Sequence, residues 1–428
     1  GGRRAFRRPH RCGRLSLALP ACGRGHDRTR QDTARCARWY SLAGTPRGRA
    51  EEDWDGEVYR LTLSQETPPT PGQRSKQPLV IPVAMGLVGA DGSDLVAETL
   101  ELTEARQSGE FRLPEKPVPS LLRGVSAPAI LERESSAEER AFLLAHDGDP
   151  FNRWEAARAM AAEVLLGAGE AGPFLEAPGA AAADETLDPA FRALLLTLPG
   201  EEEMARETFA RGAPADPDGI HAAAEGVKFA LAERLEDRLR GLYDAMETPG
   251  PYSPEAGAAG RRALRNACLA FLVRRPGGDA LALAQTRAAG MSDRLPALAA
   301  LVHARGEGAA EALAAFEADW AEDPLVLDKW FSLQATAPGE GARARGEALT
   351  RHEKFTWRTP NRLRALVGAF AANHAAFHAA DGSGYAFLAD WLMKVDALNP
   401  QTAARMAGAC GPILGNSQIS VQSMLEIS

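Results

Sequence analysis

The chain is short of several things, and each shortage removes a class of protein. Five cysteines in 428 residues (Cys12, Cys22, Cys36, Cys268, Cys410) are odd in number and form no CxxC pair. That argues against a disulfide framework or a cysteine zinc cluster, and for a reducing, intracellular compartment, cytoplasmic or organellar. Positive charge is outweighed, with 49 Lys and Arg against 57 Asp and Glu and a formal net charge of −8. Nucleic acid is therefore not an expected partner. No apolar run approaches the length of about twenty residues that a membrane span needs, so no membrane partner is expected either. Catalytic signatures are missing too: there is no GxSxG elbow, no Walker loop, no Rossmann fingerprint and no complete HExxH.

What is present divides by pattern, and a chain of this length is expected to hold two or three domains. Residues 1–35 are rich in Arg, Gly and Cys without a sustained period. They are expected to be disordered or an artefactual Arg-rich segment, with a transit peptide as the other reading. The chain begins with Gly rather than Met, so its true start is expected elsewhere. Residues 36–132 read as strands. Tyr59, Leu61 and Leu63 alternate with Arg60, Thr62 and Ser64, the period of two that half-buries a strand. An apolar run over 79–88 precedes Asp91-Gly92, a hairpin signal. Leu100, Leu102, Phe111, Leu113 and Ile130 mark later strands, and the whole suggests a small antiparallel sandwich.

Residues 133–410 change to helix. Ser136 and Glu139 form a capping box. A polar cap followed by proline then recurs at Asp149-Pro150, Asp188-Pro189, Asp216-Pro217, Ser253-Pro254, Asp323-Pro324, Thr359-Pro360 and Asn399-Pro400. The side-chain oxygen can accept from free helix N–H groups, and proline at the first helical position loses no bond. The steps of 39, 28, 37, 70, 36 and 40 residues lie near the length of a helix pair, with 70 as two steps of 35. The expected fold is a small β-sandwich followed by a large all-α superhelix of HEAT or armadillo type. Val227, Leu231, Leu235, Leu239 and Leu242 read as one apolar stripe, beside an i,i+4 pair of Glu236 and Arg240. The Ala- and Gly-rich stretch 167–184 reads as a weakly specified connector. Residues 411–428 break the pattern and read as an irregular tail.

Candidate chemistry is sparse. His352-Glu353 lacks the second histidine of a zinc helix, and His374 and His378, spaced i,i+4, lack a third ligand. The pair is expected to be surface or hydrogen-bonded rather than metal-binding. Cys268 lies in an apolar helix and reads as core, as do Trp320, Trp330 and Trp391. Asp381-Gly-Ser-Gly384 is too short for a phosphate cradle and reads as a helix–helix turn. Arg364 stands among Leu363, Leu366, Val367 and Phe370, and Gln401 and Arg405 share a helix face. These three fit either a solvated face or a wall whose guanidinium and amide groups hold peptide carbonyls or carboxylates.

Several ordered motifs carry a resemblance. Trp39-Tyr-Ser-Leu-Ala-Gly-Thr-Pro46, Lys76-Gln-Pro-Leu-Val-Ile-Pro82, Ser126-Ala-Pro128, Arg261-Arg-Ala-Leu-Arg-Asn-Ala-Cys268, Met291-Ser-Asp293, Asp328-Lys-Trp-Phe331, Pro360-Asn-Arg362 and Asp381-Gly-Ser-Gly-Tyr385 resemble the C-terminal half of bacterial-type aminopeptidase N, the zinc-dependent alanyl aminopeptidase family. The resemblance implies an immunoglobulin-like β domain and a helical domain that closes over a zinc site. It places Arg364, Gln401 and Arg405 near substrate. The family's catalytic half, with its zinc motif, should precede Trp39 and is not in the sequence. The resemblance thus implies a non-catalytic region of a peptidase that releases N-terminal residues. No cofactor is expected in this chain, and zinc is expected in the missing catalytic domain. The partners would be that domain and a peptide substrate. The alternative is a stand-alone α-solenoid that binds peptides or proteins without catalysis.

Overall fold

The structure, a computed structural model, describes residues 38–169 and 171–410. The expectations for residues 1–35 and the 411–428 tail lie outside the described residues. The chain falls into two compact units that divide after Ala157.

The first unit is a two-sheet sandwich. One sheet has the order β5 (Arg106–Arg112), β2 (Val58–Glu66), β1 (Arg47–Trp54), β7 (Ile130–Arg133), and the other β4 (Asp94–Leu102), β3 (Ile81–Val88), β6 (Val118–Leu121). β2 (Val58–Glu66) alternates as its sequence requires: Tyr59, Leu61 and Leu63 are buried. On its other face Arg60 pairs with Asp53 at 3.0 Å and Glu110 at 2.9 Å. β3 (Ile81–Val88) is apolar along its length because it is the central strand of its sheet, between β4 (Asp94–Leu102) and β6 (Val118–Leu121). The turn from β3 to β4 uses Gly92 at φ +84, a backbone conformation that favours glycine. One expectation is corrected. β1 (Arg47–Trp54) pairs antiparallel with β2 but parallel with β7 (Ile130–Arg133), so the sandwich is not purely antiparallel. β7 arrives at the sheet edge only after the chain has crossed the other sheet, and no hairpin sets its direction.

Gln65 locks the two sheets together. It is 7 % exposed, and its amide donates to the Leu79 carbonyl at 2.7 Å while accepting from the Leu79 N–H at 2.9 Å. The same amide donates to Leu102 at the end of β4. Trp39 closes one side of the core, with its indole N–H on the Val80 carbonyl at 3.0 Å.

The second unit is a succession of helices that pack largely in chain order, from Ala171–Ala183 through Ala256–Leu272 to Ala342–Leu349 and the 359–410 stretch. The proline signals mostly act as expected. Helices open at Pro189, Pro217, Pro324, Pro360 and Pro400. Asp188, Asp323 and Asn399 cap their helices through the side chain, whereas Asp216 and Thr359 do not. The helix after Ser253-Pro254 begins later, at Ala256. Ala256–Leu272 runs through the middle of the unit, with Leu264, Cys268, Leu269 and Leu272 wholly buried.

Two helical expectations are corrected. The stripe from Val227 to Leu242 is two helices, Pro217–Arg234 and Glu236–Ala245, broken at Leu235 (φ −108, ψ 11). The stretch read as a connector contains the Ala171–Ala183 helix, with Phe174, Pro178 and Gly179 buried. The two places meet: a Cβ on Gly179 would lie 2.4 Å from Leu235 Cδ2. The small residues admit the buried leucine, which sits at the helix break. The Glu236–Arg240 pair forms at 2.9 Å, and Glu236 also holds Arg275 at 2.7 Å.

Gln65→Leu keeps the volume but strands the buried Leu79 N–H. We expect a loss of about 1–3 kcal/mol, read as a lower urea midpoint for the β unit with an unchanged slope. An unchanged midpoint would show that the amide does not hold the sheets.

Candidate functional site

The stretch 359–410 carries the residues singled out by sequence. Pro360 opens a helix whose fourth to eighth residues beyond it, Arg364–Gly368, form a π-type turn before α geometry resumes at Ala369–Ala371. Such a turn inserts a residue into the helical ladder and often accompanies functional positions. Its inner face is apolar, with Leu363, Leu366, Val367 and Phe370 at 0–1 % exposure. Arg364 faces solvent, and its Nη2 donates to Asn361 Oδ1 at 2.6 Å.

Arg362, two residues earlier, has the opposite fate. It is 6 % exposed. Its guanidinium pairs with Asp328, donates to the Lys354 carbonyl at 2.6 Å and the Pro324 carbonyl at 3.0 Å, and lies 4.9 Å from the Phe331 ring centroid. It therefore anchors the helix start to Pro324–Ala335. Sequence reasoning quoted Pro360-Asn-Arg362 and Asp328-Lys-Trp-Phe331 as separate motifs and missed that they are two halves of one contact.

Gln401 and Arg405 lie on the helix Pro400–Ala407, capped by Asn399, whose Oδ1 accepts from the Thr402 N–H at 3.0 Å. Ala403 and Met406 bury the other face, while Gln401 and Arg405 are exposed one turn apart. Among the described residues neither side chain has a hydrogen-bond or ion-pair partner, and no hydrogen bond joins either to Arg364.

The turn between these helices is built on glycine. Asp381 Oδ1 accepts from the Ser383 N–H at 2.9 Å, and Gly382 takes φ +71 before the helix Ser383–Asp396. Gly384 lies so close to the preceding segment that a Cβ there would sit 2.2 Å from the Phe377 carbonyl oxygen.

The histidine pair differs from a surface pair. His374 is 6 % exposed and its Nδ1 has no hydrogen-bond partner. His378 is half-buried, its Nδ1 2.6 Å from the Tyr385 hydroxyl, and the two rings are 4.5 Å apart. Burial, followed by the neighbouring His374, pushes the His378 pKa down to about 4. Burial also lowers His374, against the opposing pull of Glu201 and Glu202. The reason sequence missed this burial is that Ala375, Ala376 and Ala379 around the pair signal no particular face. His352 pairs with Glu317 at 2.8 Å and packs against Trp330 and Phe331. Among the described residues no group of three His, Cys, Asp or Glu is arranged to hold a metal. Cys268 is fully buried, and burial pushes its thiol pKa up to about 12. It has no thiolate character at neutral pH.

With this geometry in view, known proteins define the class. Residues 44–134 match a domain of unknown function (DUF3458) with an Ig-like fold, and residues 137–411 match its companion (DUF3458_C), described as ARM repeats. The chain belongs to that DUF3458_C family. Its named relatives are aminopeptidases N. It is 43 % identical over 388 residues to the enzyme of Caulobacter vibrioides and 38 % over 405 residues to that of Escherichia coli. A third, from Haemophilus influenzae, is 37 % identical over 393 residues. These alignments cover 87, 89 and 86 % of this chain but 44, 46 and 44 % of the relatives. The chain thus spans a little under half the length of the curated relatives it matches. In fold it is also similar to a crystal structure of Legionella pneumophila aminopeptidase A in complex with aspartic acid. The TM-score is 0.79 at 24 % identity, over 94 % of this chain and 49 % of that one. No helix among the described residues is long and apolar enough to cross a membrane.

Two outcomes test this geometry. Gly384→Ala drives a Cβ into a backbone carbonyl that cannot rotate away, and is expected to destabilise by about 1–3 kcal/mol or more, read by thermal or urea unfolding of the helical unit. Wild-type stability would place the close approach elsewhere. For His378 the folded pKa lies below the ordinary 6.5, so the unfolded chain binds the extra proton. Its contribution is complete above pH 6.5 and is lost as pH falls toward about 4. His378→Gln keeps a polar partner for Tyr385 and should flatten the stability curve across that window. An unaltered slope would assign the acid sensitivity to other groups.

Proposed function

We propose that this chain is the non-catalytic C-terminal region of a zinc aminopeptidase that releases N-terminal residues from peptides. We further propose that Arg364, Gln401 and Arg405 form the part of it that faces peptide. The carrying observation is similarity at 37–43 % identity to aminopeptidases N over nearly the whole chain.

Three physical points support the wall. All three side chains are exposed while the helices beneath them are fixed by buried leucines, Ala403 and Met406. Gln401 and Arg405 spend no donor on another described residue. Arg364 spends its Nη2 on Asn361 and keeps other guanidinium donors. Arginine presents a planar fork suited to carboxylates and amide carbonyls, which are what a peptide offers.

The zinc of such an enzyme does not fit the residues described. His378 Nδ1 is taken by Tyr385, His352 by Glu317, and the His374–His378 pair has no third ligand. The metal and its chemistry belong to a catalytic domain with which this region would associate. That domain and the peptide are the proposed partners.

The purified chain is expected to release no chromophore from an alanyl chromogenic reporter, with or without added zinc. Activity that survives purification and vanishes with a chelator would contradict the assignment.

A further inference from the structure

A cavity of about 700 Å³ opens within the helical unit, lined by residues that extend from Leu196 to His374. It is separate from the face that carries Gln401 and Arg405. Its size lies in the range that holds small ligands. Much of the lining is apolar and small, including Ala267, Ala270, Phe271 and Ala300. The charged groups run along the helix Pro217–Arg234, whose His221, Glu225 and Lys228 all line the cavity.

Beside the His221 turn of that helix stand Glu201 and Glu202, at the start of the Glu201–Ala210 helix, where the helix dipole favours carboxylates. His221 meets Glu201 at 2.6 Å, and Arg206, on the same helix and outside the lining, pairs with Glu202. His374, more than nine-tenths buried with an unpartnered Nδ1, lines the cavity, and the charges it feels are these two carboxylates. One and two turns further along stand Glu225 and Lys228, and Lys228 and Arg274 both pair with the single carboxylate of Glu225, at 2.7 and 2.8 Å. Burial pushes the Glu225 carboxyl up, but the two cations overcome it and leave its pKa below the usual range. Two cations on one carboxylate leave a surplus positive charge. His303, bonded to Thr336 Oγ1 at 3.1 Å, feels Lys228 and Arg274 as well as Glu225.

We propose that this cavity is a binding site for a small zwitterion with a short apolar body, a free amino acid or a dipeptide. Its amine is held on the Glu201 and Glu202 side and its carboxylate on the Lys228 and Arg274 side. The apolar floor takes a small side chain. The site rests on this geometry alone and stands whether or not Arg364, Gln401 and Arg405 face peptide.

Calorimetric titration of the full chain with L-alanine, L-alanyl-L-alanine, its N-acetyl form and its C-terminal amide tests the proposal. At least one of the first two is expected to bind, and the arm that binds tighter identifies the ligand class. Each blocked form is expected to bind the chain at least tenfold more weakly, because it loses a charge-assisted contact. Ala270→Trp projects an indole from an exposed position on the cavity wall and is expected to weaken binding at least tenfold. Glu202→Gln, on an exposed first turn, is expected to weaken the free-amine ligand about tenfold and leave the N-acetyl form unchanged, which keeps the test decisive should the tryptophan variant fail to fold. No binding by either free-amine ligand, equal binding of the blocked forms, or wild-type affinity in a folded Ala270→Trp would each overturn the site.

Discussion

The buried guanidinium of Arg362 is the contact on which the candidate site depends. Its side chain is 7 % exposed, paired with Asp328 and closed by two backbone carbonyls and the Phe331 ring. A buried charge is tolerated only when it is paired and its donors are satisfied, and removing one partner typically costs about 3–5 kcal/mol. The arrangement therefore fixes where the helix after Pro360 begins. Arg364, two residues on, opens a π-type turn and projects outward because the following apolar residues are packed inward. The exposed arginine is placed by the buried one.

The same division of labour recurs nearby. Asn399 caps the Pro400–Ala407 helix, and Ala403 and Met406 bury its inner face, which leaves Gln401 and Arg405 outward on a rigid element. Gly382 and Gly384 let the chain turn back within contact of Phe377 between the two helices. Aromatic packing of Phe370 with Phe377 and Phe387 joins the three segments from inside. Exposed polar groups on so fixed a base are suited to holding a ligand, since little side-chain support must be ordered on binding.

Much of this was legible in the sequence where a local rule governs. The alternation in β2, the Asp91-Gly92 hairpin, the Asp188, Asp323 and Asn399 caps and the Glu236–Arg240 pair all follow from spacing alone. What was not legible depends on distant partners. The parallel pairing of β7 with β1 is set by the path of the whole sandwich. The break at Leu235 is tied to Gly179, and the burial of Arg362 to Asp328. The lining of the charged cavity is drawn from residues between 196 and 374 that share no period. For the candidate wall, Arg364 stood out among apolar neighbours, and Gln401 and Arg405 as a pair on one helix face; the structure has all three exposed. The histidine pair reads by spacing as surface or hydrogen-bonded rather than metal-binding; His378 does bond to Tyr385, but the burial of His374 is not legible locally.

The central claim is that the exposed arginines act on peptide rather than on stability. The direct measurement is kcat/KM for a peptide substrate in an aminopeptidase that contains this region, for wild type, Arg364→Ala and Arg405→Ala, alongside each Tm. The account predicts that kcat/KM falls about tenfold or more for each variant, the loss expected for a charge-assisted contact, while Tm stays within about 2 °C, as for an ordinary surface substitution. Wild-type kcat/KM in both variants, or a loss of activity that tracks a loss of Tm, would contradict it.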